Sequence, residues 1–266
     1  MSALPYILFT AIFIKRPRLI NRMKSVILAG GYAKRLWPLT LEIPKPLLLI
    51  GSQVLLQRIM NKISEVPEVD EIIITTNMKF EDHFKRFLTS ATCPKPVRLF
   101  IEPTASEGEK LGAIGALHYL LQHLNISEDT LIIAGDNLFE FSLKEFIAFH
   151  NTHPYSSVAV HDIRDIEQAS NFGVIKHNGT KIIELVEKPT HPESSLISTA
   201  CYCLSPQSLA LLHEYIATDN PRDTIGHFIG WLVKKAGAQA FVFQEPWYDI
   251  GSHDELAKVQ KLYNGQ

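Results

Sequence analysis

From Ser25 onward, short β-branched runs alternate with longer stretches of helical period, and that rhythm restricts the chain to few architectures. The runs 25–29 (SVILA), 71–76 (EIIITT), 97–101 (VRLFI), 130–134 (TLIIA) and 157–161 (SVAVH) are too short for stable helices and nearly continuously apolar. Helical stretches fall near 52–63, 79–89, 111–124 and 143–151. Strands of this kind, separated by helices, predict an α/β protein with a mainly parallel sheet covered by helices.

After residue 160 the rhythm changes. Residues 173–176 and 181–186 flank Asn178-Gly179, which predicts a hairpin with a primed turn, because Asn-Gly tolerates positive φ at both positions. A strand at 196–204, helices near 206–216 and 224–235, a strand at 239–243 and a helix from about Ser252 complete the pattern. This half reads as an antiparallel annex to the same sheet.

The first 22 residues stand apart from this pattern. Leu4 to Ile14 is apolar but too short to cross a bilayer as a helix, and Lys15, Arg16 and Arg18 follow it, where a secretory signal would have its basic residues first. Residues 1–22 are therefore expected to be a poorly ordered extension, or a weak membrane-touching segment, before a domain at 23–266.

Lys and Arg total 26 against 28 Asp and Glu, so no global field recruits nucleic acid or an acidic membrane. Any polyanion must be held locally. The three cysteines, Cys93, Cys201 and Cys203, form no CxxC pair and read as free thiols of a cytoplasmic protein, with 201 and 203 on one face of a strand. The 11 histidines form no HExxH pattern and no GxSxG elbow is present, which argues against a zinc site or a covalent serine nucleophile.

The segment LAGGYAKRLWPLTLEIPKPLLLI, residues 28–50, follows the first strand. Gly30 and Gly31 let the backbone approach a ligand at the carboxyl edge of the sheet, where open α/β sheets bind ligands. Lys34, Arg35 and Lys45 stand among Pro38, Pro44 and Pro46, which stiffen the loop and hold its cations in place. Stiff backbone, exposed amides and cations describe a triphosphate cradle, the alternative being a basic surface loop. It is neither a Walker A loop nor a GxGxxG fingerprint. Further on, Asp136 in AGDNLFE follows a buried strand, a good place to hold a hard cation against phosphate oxygens, although such an Asp more often caps a turn. Asp249 in WYDIGS repeats the arrangement, with Gly251 allowing close approach.

In this order the segments resemble the sugar-phosphate nucleotidyltransferases, which include glucose-1-phosphate thymidylyltransferases and mannose-1-phosphate guanylyltransferases. Their signature GGxGTRLxPxT, followed five residues later by Lys, is matched by Gly30, Gly31, Arg35, Leu36, Pro38, Thr40 and Lys45, with Ala33 replacing the third glycine. That replacement costs little unless residue 33 sits at positive φ. KLGAIGAL (110–117) resembles the nucleoside-facing turn, NFGV (171–174) and VEKP (186–189) the sugar-phosphate side, and STACY (198–202) a TGLY segment with Ala200 replacing glycine.

The resemblance implies a Rossmann-like three-layer sandwich with a mixed sheet, of the GT-A-like nucleotidyltransferase type, carrying an antiparallel sugar-binding annex. It implies Mg²⁺ on Asp136 and Asp249, with Arg35 and Lys45 as further catalytic residues. It assigns Leu28, Ala29, Gly30, Gly31, Glu102 and Gly112 to the nucleotide, and Asn137, Gly173, Glu187, Lys188 and Tyr202 to the sugar phosphate. The substrates would be a nucleoside triphosphate (GTP, TTP or UTP) and a sugar 1-phosphate, with no nucleic acid and no stable membrane insertion. A homo-oligomer is left open. Because the chain ends soon after WYDIGS, a left-handed β-helix tail with acetyltransferase activity is not expected.

Other readings stay open at this point. A regulatory nucleotide-sugar-binding homologue would explain Ala33 and Ala200, while transfer to a non-sugar phosphate fits the weaker sugar-side matches. A glycosyltransferase would want a DxD motif, which GDN is not. Thymidylyltransferases present a Gln to the pyrimidine where this chain has Glu102, and an ionised carboxylate suits the two adjacent donors of guanine better. GTP is therefore expected to be preferred, unless Glu102 faces solvent or the loop 103–110 shifts the register.

Overall fold

The computed structural model describes residues 22–264, so all of the expected extension except Arg22 lies outside the described residues. The chain runs through β1 (Met23–Leu28), the short helix α1 (Leu39–Glu42), β2 (Leu49–Ile50), β3 (Gln53–Val54), α2 (Leu55–Ser64) and β4 (Val69–Asn77). It continues through α3 (Glu81–Ser90), β5 (Val97–Glu102), α4 (Gly112–His123), β6 (Asp129–Ala134), β7 (Asn137–Phe139), α5 (Leu143–Asn151) and β8 (Ser156–Asp162). The hairpin β9 (Gly173–Asn178) and β10 (Lys181–Glu187) follows, then β11 (Leu196–Leu204), α6 (Pro206–Ile216) and α7 (Ile225–Lys235). Last come β12 (Ala238–Phe243), β13 (Trp247–Asp249) and α8 (His253–Tyr263).

One nine-stranded sheet carries the fold, in the order β5-β4-β1-β6-β11-β8-β12-β10-β9. Side chains alternate across each strand, so Ile27, Ile74, Ile133, Cys201 and Cys203 pack on one face with α2, α3, α5 and α8. Val26, Ile73, Ile132 and Tyr202 pack on the other with α4, α6 and α7. That is the expected three-layer sandwich. The helix starts are set locally: Ser142, Ser205 and Ser252 each accept a hydrogen bond from the backbone N–H three residues on, and Pro206 fits the first turn of α6.

Two expectations are refined and one is met. The second half adds antiparallel strands to the sheet, as expected, with one exception: β11 inserts antiparallel between β6 and β8, but β12 runs parallel to β8. The two helices between β11 and β12 return the chain to the end where β11 stops, so β12 runs opposite to β11 and along β8. The predicted helix at 52–63 begins at Leu55, because Gly51, at φ +61, first turns the β2–β3 ribbon beneath Tyr263. The hairpin forms with a primed turn: Asn178 pairs with Lys181, and Gly179 at the first central position takes positive φ, as a type II′ turn requires.

Candidate active site

The carboxyl ends of β1, β5 and β6 open on a cavity of about 540 Å³. Every residue assigned above to catalysis, the nucleotide or the sugar phosphate borders it except Ala29, whose methyl group turns into the core because it alternates with Leu28 along the strand direction. The glycine loop is pinned from outside the signature. Asn77 Nδ2 donates to the Gly30 carbonyl (2.9 Å) and its Oδ1 accepts from the Phe80 N–H (3.2 Å). Thr40 Oγ1 donates to the Ala33 carbonyl (2.8 Å), which gives the signature threonine a structural role. Gly135 lets β6 end tight against β1, its N–H donating to the Leu28 carbonyl at 2.8 Å.

At the centre of the cavity, Lys45 Nζ lies 2.8 Å from Asp136 Oδ2 and 3.5 Å from Asp249 Oδ1. Asp249 reaches this point because β13 pairs with β7, setting it opposite Asn137, the neighbour of Asp136. The Lys45 side chain is 9% exposed, whereas that of Asp136, 40% exposed, opens to the cavity. Burial works against the Lys45 ammonium, but the two carboxylates outweigh it and lift its pKa above the ordinary lysine value. One ammonium cannot satisfy both carboxylates. Burial opposes ionisation of Asp136, yet Lys45 holds its pKa below the usual range, while burial and the Asp136 charge push Asp249 up. The described residues contain no group of three or more His, Cys, Asp or Glu side chains placed to hold a metal. Two under-neutralised carboxylates facing a cavity nevertheless suit Mg²⁺, which commonly takes one or two carboxylates plus phosphate oxygens and water.

The other cations of the signature loop divide. Lys34 is tied to Glu107 (2.8 Å), in a chain of charges that continues through Lys110 to Asp223 across the cavity mouth. Arg35 is exposed, borders the cavity and forms no ion pair among the described residues. The first amides of α4 are also spoken for, since Ala113 and Ile114 donate to the carbonyls of Asp223 and Arg222. Gly112, at φ +73, makes this possible: a Cβ there would stand 2.4 Å from the Arg222 carbonyl oxygen. The Arg222 side chain itself turns back to the Ile216 carbonyl.

On the opposite wall, Glu187 pairs with Gly173 across the β9–β10 ladder and lies against Gly226 in the first turn of α7. A Cβ on Gly226 would stand 1.8 Å from Glu187 Oε2. Neither Gly226 nor Asn77 stood out in the sequence; a glycine inside a helical pattern and an Asn ending an apolar strand were the only signals. Lys188 is exposed and borders the cavity at φ 48. Asn137 and Tyr202 are held by β11, the amide of the first donating to the Thr199 carbonyl and the hydroxyl of the second accepting from Ser198 (3.0 Å). Glu102 does not face solvent: it is 4% exposed and borders the cavity beside Gly30.

Both alanines that replace family glycines adopt left-handed backbone, Ala33 at φ 45 and Ala200 at φ 52. The glycine geometry is therefore kept, at a cost of about 1–2 kcal/mol for each L-residue. Ala→Gly in regular structure usually destabilises by about 0.5–1 kcal/mol. Here the two effects oppose, and Ala33→Gly and Ala200→Gly are each expected to be neutral or to stabilise by up to about 1 kcal/mol in denaturant titration. A loss of ~1 kcal/mol from either would show that no left-handed strain is relieved there.

A parallel-sheet edge with a glycine loop, a buried lysine between two carboxylates and cations on both walls defines a nucleotide-handling α/β protein. A sequence model of the nucleotidyl transferase family matches residues 24–266, and the chain belongs to that family. It is 28% identical over 243 residues to the bifunctional protein GlmU of Methanocaldococcus jannaschii, covering 90% of this chain and 54% of that protein. It is likewise 28% identical over 249 residues to mannose-1-phosphate guanylyltransferase 1 of Arabidopsis thaliana, covering 91% of this chain and 64% of that one. The chain thus spans between half and two thirds of the length of these relatives. Among solved structures, a Bacillus anthracis protein named as a glucose-1-phosphate thymidylyltransferase and crystallised with sucrose superposes with a TM-score of 0.78 at 25% identity, covering 92% and 96% of the two chains. A UDP-glucose pyrophosphorylase bound to UDP-glucose matches the fold equally well, with a TM-score of 0.78 at 21% identity over 92% of this chain and 99% of that one.

Proposed function

We propose that residues 23–266 form a sugar-1-phosphate nucleotidyltransferase, which joins a nucleoside triphosphate to a sugar 1-phosphate and releases pyrophosphate. The observation that carries this reading is Lys45 held between Asp136 and Asp249, with Arg35 and Lys188 bordering the same cavity. The sugar 1-phosphate attacks the α-phosphorus in line with the departing pyrophosphate. Both partners are polyanions, so the work of the site is charge neutralisation and alignment. Mg²⁺ on Asp136 and Asp249 would neutralise charge on the α-phosphate. Lys45 lies beside these carboxylates and serves the phosphates at the reacting centre. Arg35, free of a protein carboxylate, takes the leaving pyrophosphate, and Lys188 the attacking phosphate. Glu187, fixed by Gly173 and Gly226, accepts from sugar hydroxyls. No general base is needed, because the attacking phosphate is already ionised at neutral pH.

Three free cysteines, two of them buried, fit a cytoplasmic enzyme, and no helix among the described residues is long and apolar enough to cross a membrane. The test is a pyrophosphate-release screen of nucleoside triphosphates against sugar 1-phosphates with Mg²⁺. Tight nucleotide-sugar binding without release on any pair would replace this reading with the regulatory one.

Glu102 gives the screen an expected winner. An ionised carboxylate accepts from the ring N–H and amine of guanine side by side, but meets a carbonyl oxygen of uracil or thymine. At pH 8, GTP should be used about 10-fold better than UTP, and Glu102→Gln should narrow or reverse this, in keeping with about 1–3 kcal/mol per paired contact. UTP used tenfold better than GTP at that pH would reject Glu102 as a guanine reader.

A further inference from the structure

Beside the cavity, three buried side-chain oxygens form no hydrogen bond among the described residues: Glu102 Oε1, Tyr32 Oη and Thr75 Oγ1. Orphaned polar atoms are rare in native interiors, and a cluster of them beside a cavity marks partners supplied by a ligand. The Glu102 carboxyl lies against the glycine loop, its Oε1 at 2.6 Å from where a Cβ on Gly30 would stand. No lysine or arginine pairs with it among the described residues. The titratable groups facing it are few. Tyr32, from the loop after β1, lies beside it and is itself near Glu107 and Glu109 of the segment after β5, while Lys110 of that segment borders the same cavity. Lys79 sits on the Tyr32 ring, 5.7 Å from its centroid, and the neighbouring positions of β4 and α4 are Thr75, Asn77, Gly112 and Ala113.

We propose that the protonation state of Glu102 selects the nucleobase: the ionised carboxylate takes guanine, and the neutral acid takes uracil or thymine. This rests on the nucleotidyltransferase reading of the cavity. A carboxylate offers two acceptors, matching the adjacent donors of guanine. A protonated carboxyl offers one donor and one acceptor, the same code as a glutamine amide, and so matches a ring N–H beside a carbonyl. Burial pushes the Glu102 pKa up to about 7, so both forms exist near neutrality.

The sign follows from the linkage. Guanine binding draws on the ionised fraction, which falls below the Glu102 pKa; uracil binding draws on the neutral fraction, which falls above it. Titration of the triphosphate affects both nucleotides alike and cancels in their ratio. The ratio of the UTP to the GTP dissociation constant should therefore rise by up to ~10-fold per pH unit near neutrality.

The experiment is equilibrium binding of GTP and UTP to the full chain with saturating Mg²⁺, at pH 6, 7 and 8 and constant ionic strength. The UTP/GTP ratio is expected to climb roughly 100-fold at most across that range, and at least tenfold. In Glu102→Gln it should be flat and favour UTP, and thermal melts of the variant would confirm that it folds. A ratio constant within about threefold in the unsubstituted protein, or the same slope in Glu102→Gln, would overturn the proposal. Pyrophosphate release is measured in parallel. Binding with this pH dependence but no release would end the enzyme reading alone, and turnover with a flat ratio would end the proposal alone.

Discussion

Asp136→Asn or Asp249→Asn should lower turnover on the order of 10³-fold, the scale of losing one preorganised charge contact at a reacting centre. Each exchange keeps side-chain volume, so the loss should not come from unfolding. The metal-free proteins should separate the two carboxylates from a purely structural pair. With both ionised, Lys45 is shared between them, and burial together with the Asp136 charge already pushes Asp249 above the usual carboxylate range. Removing the Asp249 charge should leave the melting temperature unchanged or higher, because an under-neutralised buried charge is relieved. Adding Mg²⁺ should raise the melting temperature of the unsubstituted protein, by binding only the folded state, and should do so far less in either variant. Equal Mg²⁺ shifts in all three proteins would show that the ion binds elsewhere.

Lys45→Ala and Arg35→Ala should each cost a factor of about 100 or more in rate, yet differ in stability. Lys45 is buried and its removal leaves two carboxylates facing each other, which should cost about 1–3 kcal/mol, less than the ~3–5 kcal/mol for breaking a fully buried pair, since Asp136 opens to water. Arg35 is exposed and forms no ion pair among the described residues, so its variant should melt like the unsubstituted protein. The rate loss in Arg35→Ala should fall mainly on use of the triphosphate. Unchanged kinetics in both variants would reduce the basic loop to ordinary surface.

Much of this was legible in the sequence, because it is encoded within a few residues. A strand such as β1 or β6 declares itself by an unbroken apolar run, helices α5, α6 and α8 by a serine before the helical period, and the glycine loop by its own composition. The residues matched to the signature, Pro38 and Thr40 excepted, also border one cavity, since loops after neighbouring parallel strands open at the same sheet edge. The hairpin was legible too, because Asn-Gly permits the positive φ of a primed turn; the register of β9 against β10 decided that Gly179 takes it.

What the sequence determined by itself is therefore the main strands and helices, the fold class and which residues gather at the strand ends, all fixed by local periodicity and backbone permission, whereas the short elements α1, β2, β3 and β7 were not legible. Tertiary structure alone decided which charges meet. Lys45 finds Asp136 and Asp249 only once β6, β7 and β13 are in place, and Lys34 is neutralised by a glutamate more than 70 residues away, while the adjacent Arg35 stays free. It also decided that Glu102 lies out of water without a partner, and that Ala33 and Ala200 must hold left-handed backbone. Electrostatics and burial depend on distances between segments remote in sequence, and neither residue type nor spacing along the chain records those distances.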